Sequence, residues 1–271
     1  MDVRYEPLDE KTVADIVCCP GGLEVSGKAF RGDLSETVAW RKRLIGLGMN
    51  GIVAYDADGP RGFAEVMPAE TAPLPIEAPG SAALMCYHWA GTAAEDPEHL
   101  AMERELVERA IGATRDEFDG LVTQGWDVPT HFPIPFLEDL GFIEVARHGF
   151  VALMWRPFAE GAVTPSYPAA SYAPRDLSSD SLLAIDAAFT ARCPYSLSSE
   201  ARLSEAVAEH SLREQIRLTL HRIDTREDAM ALAVPPFDWA WVFFNGDEVE
   251  LFELPGAKLA EEITRRIDDL S

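Results

Sequence analysis

The stretch AEGAVTPSYPAASYAPRDLSSD, residues 159–180, is rich in Pro, Ala and Ser and carries no apolar period. Such a segment reads as a linker rather than as a helix or a core strand. A chain of 271 residues has room for one large domain or two ordinary ones. The break favours two, predicted over residues 1–158 and 179–271 with a linker at 159–178.

The chain is 47% hydrophobic and 25% charged, the balance of a globular protein. No run of eighteen apolar residues occurs, so no transmembrane helix and no membrane partner are expected. The start, MDVRYEPLDEKTVADIVCC, lacks a basic region followed by an apolar stretch, so a cytoplasmic location is expected. The net charge of −23 is shared: residues 1–158 hold 13 Lys/Arg against 26 Asp/Glu, and the remainder 10 against 20. Neither half offers the basic footprint that nucleic-acid backbones require, and a small-molecule substrate is the expected partner. Four cysteines (Cys18, Cys19, Cys86 and Cys193) are too few and too irregular for a disulfide scaffold and are expected to be reduced.

In the first half, VRYEPL suggests a strand, followed by a helix from about Lys11 to Cys19 and a second helix capped by Ser35. GIVAYDADGPRGFAEVMPA reads as a hairpin turning at Asp58-Gly59, and SAALMCYHWAG as a strand. HLAMERELVERAIGA forms a long helix, DGLVTQGW a buried strand, PFLEDLGF a short helix and FIEVARHGFVALMWRPF a strand pair. In the second half, LLAIDAAF is a strand, CPYS a turn into a helix, IRLTLHRID a strand and TREDAMAL a short helix. WAWVFFNGDEVELFEL is a hairpin around Asn245-Gly246, and AKLAEEITRRIDDL a closing amphipathic helix.

The element order of the first half, the hairpin GIVAYDADGPRGFAEV and the helix end FLEDLGFIEV resemble the GNAT acyltransferase superfamily. The whole arrangement resembles GNAT proteins with a YoaP-like C-terminal domain, through Cys18-Cys19, Cys86 and the turn Cys193-Pro194-Tyr195. The resemblance implies an α/β (α+β) protein: a GNAT-like mixed central sheet flanked by helices, plus a smaller thioredoxin-like domain. It also implies acyl transfer from acetyl-CoA to a small amine or thiol, with the cofactor seated where two central strands splay. Cys86, Tyr87, His99, Leu100, Ala101 and Arg104 are then the cofactor-binding positions.

Two departures bear on that implication. Against the superfamily turn R/Q-x-x-G-x-G/A, His99, Ala101 and Glu103 occupy the small or glycine positions, so the pyrophosphate would meet a carboxylate. At about 4 Å that costs roughly 1 kcal/mol in water and about 4 kcal/mol at an effective dielectric near 20. The Tyr that usually protonates the departing thiolate is replaced by Leu137. Glu65 and His88 are candidate bases, and Cys86 and Cys193 join them as candidate catalytic residues. The alternative reading of Glu65 is a solvated strand residue, and of His88 a structural hydrogen-bonder.

CPYS resembles a glutaredoxin motif with the second Cys changed. A helix N-terminus favours thiolate at Cys193, which could form a mixed disulfide or pair with a thiol elsewhere. Pro235-Pro236 stands where a thioredoxin-like fold carries a cis-proline, but nine residues before Asn245, farther than usual. The alternation of Trp239, Trp241 and Phe243 is expected to be core packing. A second class of function follows: a thiol-dependent redox or soft-metal-binding protein using Cys193 with Cys18, Cys19 and Cys86. No zinc-type ligand spacing is present, and no metal site is expected.

Overall fold

The computed structural model describes residues 3–16, 34–90, 96–127, 132–249 and 256–270. Two sheets are present among them, one of seven strands and one of four. The first contains β1 (Arg4–Pro7), β2 (Asn50–Asp56), β3 (Gly59–Pro68), β4 (Ser81–Trp89), β5 (Gly120–Trp126), β6 (Ile143–His148) and β7 (Val151–Pro157), in the order β1-β2-β3-β4-β5-β7-β6. Only β4 and β5 run parallel, and between them lies the long helix α2 (Pro97–Thr114) that makes such a crossover possible. Helix α1 (Leu34–Ile45) lies between β1 and β2, and the short α3 (Ile134–Asp139) between β5 and β6.

The expected order of elements is observed, with two local corrections. Val13–Ile16 form a 3-10 turn where a helix from Lys11 is expected, and residues 17–19 lie outside the described set. The β2–β3 turn is Ala57–Asp58, one residue earlier than the Asp-Gly pair suggests, because Asp56 pairs with Gly59.

The second sheet has the order β11-β10-β8-β9, built from β8 (Leu183–Phe189), β9 (Ile216–Arg222), β10 (Trp241–Phe244) and β11 (Asp247–Glu248). Strands β8 and β9 are parallel over seven pairs, and β10 is antiparallel to β8. The β10–β11 loop is Asn245-Gly246, with φ of 48° and 83°, the left-handed pair that a two-residue hairpin requires. Helix α4 (Pro194–Glu209) joins β8 to β9, α5 (Arg226–Ala231) follows β9, and α6 (Gly256–Asp268) closes the chain. Leu259, Ile263 and Ile267 recur every four residues along α6, and all are buried in a core with Leu183, Ile185 and Leu203.

Residues 159–180 form only a short 3-10 turn at Ser178–Asp180, yet they are tied to both sheets. Ser166 bridges to Glu77, Tyr167 stacks on Phe237 at 4.8 Å, and Arg175 pairs with the buried Asp186 at 3.0 Å. The second unit also touches the first directly. Gln124 Nε2 donates to the Phe237 carbonyl at 2.6 Å, Trp40 Nε1 to that of Asp224 at 3.0 Å, and Arg226 Nη1 to that of Leu74 at 2.6 Å. Ala191 and Trp239, from the second unit, are buried in the core of the first.

A cleft between two splayed strands and two facing thiols

The parallel pairing of β4 with β5 stops early. Ser81 pairs with Gly120, Ala82 with Leu121 and Ala83 with Val122, after which the two strands part. A β-bulge contributes to the parting. Opposite β3, Glu65 faces Cys86 but the next residue, Val66, faces Leu84, so Met85 is an extra residue on β4. An inserted residue bends its strand and increases the local twist. The Leu84 carbonyl, which lies just past the last β4–β5 pair, is taken by Thr123 Oγ1 at 3.0 Å.

Beyond Thr123 the space is lined by aromatic rings. Phe132 stands 4.5 Å from Tyr87 on β4 and 5.5 Å from Trp126 on β5, and its carbonyl accepts the Trp126 N–H at 3.0 Å. Phe136 on α3 stacks on Tyr87 at 5.6 Å. The Tyr87 hydroxyl is buried without a hydrogen-bond partner among the described residues. Leu137 is fully buried and packs against Gly125 of β5, so it lies within the core.

Carboxylates stand at the N-cap and in the second turn of α2. Asp96 caps the helix by accepting the Glu98 N–H at 2.8 Å. Glu103 turns back on β4: its Oε1 accepts the Trp89 N–H at 3.4 Å and lies 3.2 Å from His99 Nε2 and 3.8 Å from His88 Nδ1. Burial holds the His88 imidazole below its ordinary pKa despite Glu103, so the ring is neutral at pH 7. Its Nε2 has no partner among the described residues. Of the other positions assigned to the cofactor, His99 is buried, Leu100 is 42% exposed and Ala101 is exposed. Arg104 reaches Asp139 at 3.4 Å and lies over the Phe136 ring.

Around Cys86 lies a second cluster. Glu65 is 0% exposed and paired with Arg41 of α1, whose Nη2 lies 3.3 Å from Oε2. The alternative reading of Glu65 as a solvated strand residue does not hold, since the carboxyl group is buried and paired with a buried cation.

The second unit adds Arg192, Cys193 and Asp238 to this cluster. The turn after β8 is pinned by side-chain oxygens. Ser196 Oγ accepts the Thr190 N–H at 3.0 Å, Asp224 accepts that of Ala191 at 2.7 Å, and Thr190 Oγ1 accepts that of Arg192 at 3.1 Å. Cys193 then occupies the N-cap of α4. Cys86, Cys193, Arg41 and Arg192 lie close enough for each one's charge to act on the others. Both cysteines are half-buried as residues.

Burial pushes the Cys86 thiol up to about 12, with Glu65 adding to it and Arg192 and Arg41 opposing. Burial also pushes Cys193 up, more than the N–H groups of Ser196 and Tyr195 and the two arginines draw it down. Burial thus outweighs the helix N-terminus, and the expected thiolate preference of Cys193 is reversed. Asp238 accepts the Trp239 N–H at 2.7 Å and that of Trp126 Nε1 at 3.4 Å. Burial raises its carboxyl to about 7 against those donors and Arg192.

The structure thus brings together Glu65, Cys86 and Cys193 and sets His88 apart with Glu103 and His99. Cys18 and Cys19 lie outside the described residues, and no group of three or more His, Cys, Asp or Glu suited to a metal ion occurs among those described. Arg41, Arg192 and Asp238 escape sequence reasoning. Arg41 is one of three consecutive basic residues, Arg192 merely precedes the Cys-Pro turn, and Asp238 lies between aromatics with no motif.

No helix among the described residues is long and apolar enough to cross a membrane. No protein-family model and no curated protein matches the sequence. Among solved structures, the chain is similar to a GNAT family acetyltransferase from Brucella melitensis in complex with acetyl-CoA, at 12% identity and a TM-score of 0.41 over 62% of this chain and 97% of that one. It is similar to the aminoglycoside 6'-N-acetyltransferase from Enterococcus faecium, at 11% identity and a TM-score of 0.41 over 59% of this chain and 99% of that one. An N-acetyltransferase from Staphylococcus aureus Mu50 is similar at 10% identity and a TM-score of 0.42, over 59% of this chain and 100% of that one. With TM-scores below 0.5, these likenesses carry no inference about activity or substrate.

Proposed function

We propose that residues 1–158 form a GNAT-like acyltransferase module that moves an acyl group from acetyl-CoA or a related thioester to a small amine or thiol. Residues 179–271, in this reading, form a thioredoxin-like module docked on its acceptor side. The observation that carries the reading is the end of β4–β5 pairing after three residue pairs. Parallel neighbours normally pair throughout, and a wedge between them leaves backbone N–H and C=O groups able to bind an extended amide-bearing arm. The β9-β8-β10-β11 order supports the second module.

The fit to the cofactor is uneven. The strand wedge suits a thioester arm, whereas Asp96 and Glu103 place carboxylates at the helix N-terminus where phosphates would lie. The phosphate end therefore does not fit as it stands.

On the acceptor side, two groups of this chain have definable roles. Arg41 pairs with the buried Glu65 and fixes the orientation of its carboxyl group. The carboxylate of Asp238, raised by burial to about 7, is able to take a proton near neutrality. Titration calorimetry with acetyl-CoA is the direct test. Heat of binding at micromolar to millimolar cofactor is expected, and none at millimolar concentration would end the proposal.

A second reading, thiol-dependent redox chemistry, is favoured by one observation: Cys86 and Cys193 come from different units yet share one cluster. Incubation with glutathione disulfide followed by mass spectrometry tests it. This reading expects a Cys86–Cys193 disulfide or a mixed disulfide at one of them, formed with release of glutathione.

A further inference from the structure

Arg192 is 6% exposed, and its Nη1 is buried without a hydrogen-bond partner among the described residues. No carboxylate among those residues lies at ion-pairing distance from it. Its other contact is the face of the Trp239 ring, 5.5 Å from the guanidinium carbon. A buried guanidinium is costly unless paired, and arginine presents a fork matched to carboxylates.

The surrounding charges sharpen the point. Arg41 is paired with Glu65, whereas Arg192 has no ion-pair partner among the described residues and feels Glu65 only at longer range. Asp238 is drawn by Arg192 electrostatically but bonds instead to Trp239 and Trp126. The half-buried residues Cys86 and Cys193 lie beside Arg192.

We infer that Arg192, flanked by Cys86 and Cys193, is a binding site for the carboxylate of a small organic acid, read by the free edge of the guanidinium in the cleft between the two units. The inference concerns the acceptor side of the cleft proposed above. It rests on the acyl-transfer reading for the use of the ligand, not for its binding. An acceptor of this class carries a carboxylate at one end and its amine or thiol at the other. The site excludes neutral and cationic analogues because neither compensates the guanidinium.

The full chain, as it exists, supplies the test through its own thiols. Iodoacetate and iodoacetamide differ in a carboxylate and alkylate the same sulfur. Peptide mass spectrometry measures each rate at Cys86 and Cys193, with free cysteine in the same buffer as reference. The expected result is an iodoacetate-to-iodoacetamide rate ratio at least tenfold above that of free cysteine at one of the two thiols. Arg192→Gln is expected to return the ratio to the free-cysteine value, and Arg192→Lys to retain part of the preference. A ratio no higher than free cysteine's in the unmodified protein, or one that survives Arg192→Gln, would overturn the inference.

Should Arg192→Gln fail to fold, competition in the unmodified protein decides. Sodium acetate should slow alkylation by iodoacetamide and acetamide at the same concentration should not; equal effects of the two would overturn the site. Acetyl-CoA calorimetry separates the two proposals. A preference for iodoacetate with no cofactor binding leaves the anion site standing and ends the acyl-transfer reading.

Discussion

Glu103 accepts the backbone N–H of Trp89 at 3.4 Å, joining the second turn of α2 to the last residue of β4. That N–H lies at the open end of the wedge, and the carboxylate on it repels any phosphate brought to the same place. Glu103→Gln removes the charge and keeps an oxygen able to accept. One unit charge at about 4 Å is worth roughly 1 kcal/mol in water, so acetyl-CoA should bind about fivefold more tightly to the variant. Calorimetry of the two proteins at one ionic strength measures this. An unchanged or weaker affinity would place the phosphates elsewhere.

The Arg41–Glu65 pair is wholly enclosed, at 2% and 0% exposure, between α1 and the bulge that bends β4. Removing one partner leaves a buried charge alone, a change that costs about 3–5 kcal/mol. Arg41→Leu should therefore be severely destabilised in urea unfolding, and Arg41→Leu with Glu65→Leu much less so. Additive losses in the two single variants and the double would show that the pair is not coupled.

Most of the fold was legible because its elements announce themselves locally. Val38, Leu44 and Ile45 repeat at helical spacing, and Asn245-Gly246 dictates its hairpin. The bulge at Met85 was not legible, since an inserted residue is defined by the partner strand's register and not by its own identity. Cys86 and Cys193 could be singled out from sequence as thiols, but their proximity depends on how the second unit docks. The partners that fix their chemistry, Arg41 and Arg192, are arginines in an acidic protein, and only burial distinguishes them from solvated ones. Glu103 could be placed on the turn from its spacing, but not its rotation inward onto Trp89 N and the two histidines.

Cys86 should be a poor nucleophile in the folded protein. With its thiol pushed up to about 12 by burial and Glu65, the thiolate is scarce at pH 7.5. Relative to free cysteine near 8.5, N-ethylmaleimide should modify Cys86 about a thousandfold more slowly, and the rate should still be rising at pH 9. Cys193, also raised by burial, should react more slowly than free cysteine in the same experiment. A fast reaction at either thiol with a plateau below pH 8 would contradict the electrostatics of the cluster.

Asp238 gives the stability of the protein a distinctive pH dependence. Its carboxyl sits near 7 in the folded chain, chiefly through burial, against an ordinary value near 3.9 when unfolded. Between those values the native state holds a proton that the unfolded state has lost. The contribution of this group is thus complete below about pH 4 and is lost as pH rises through 7. Its full span is at most about 4 kcal/mol, and the partial exposure of Asp238 brings it lower. Asp238→Asn does not titrate, so the stability of the unmodified protein relative to the variant should fall between pH 4.5 and 7.5 and level off above. Urea unfolding of both proteins across that range isolates the effect, because every other titrating group cancels in the difference. Parallel curves for the two would mean that the carboxyl is already ionised at pH 5, and that it has no proton to exchange near neutrality.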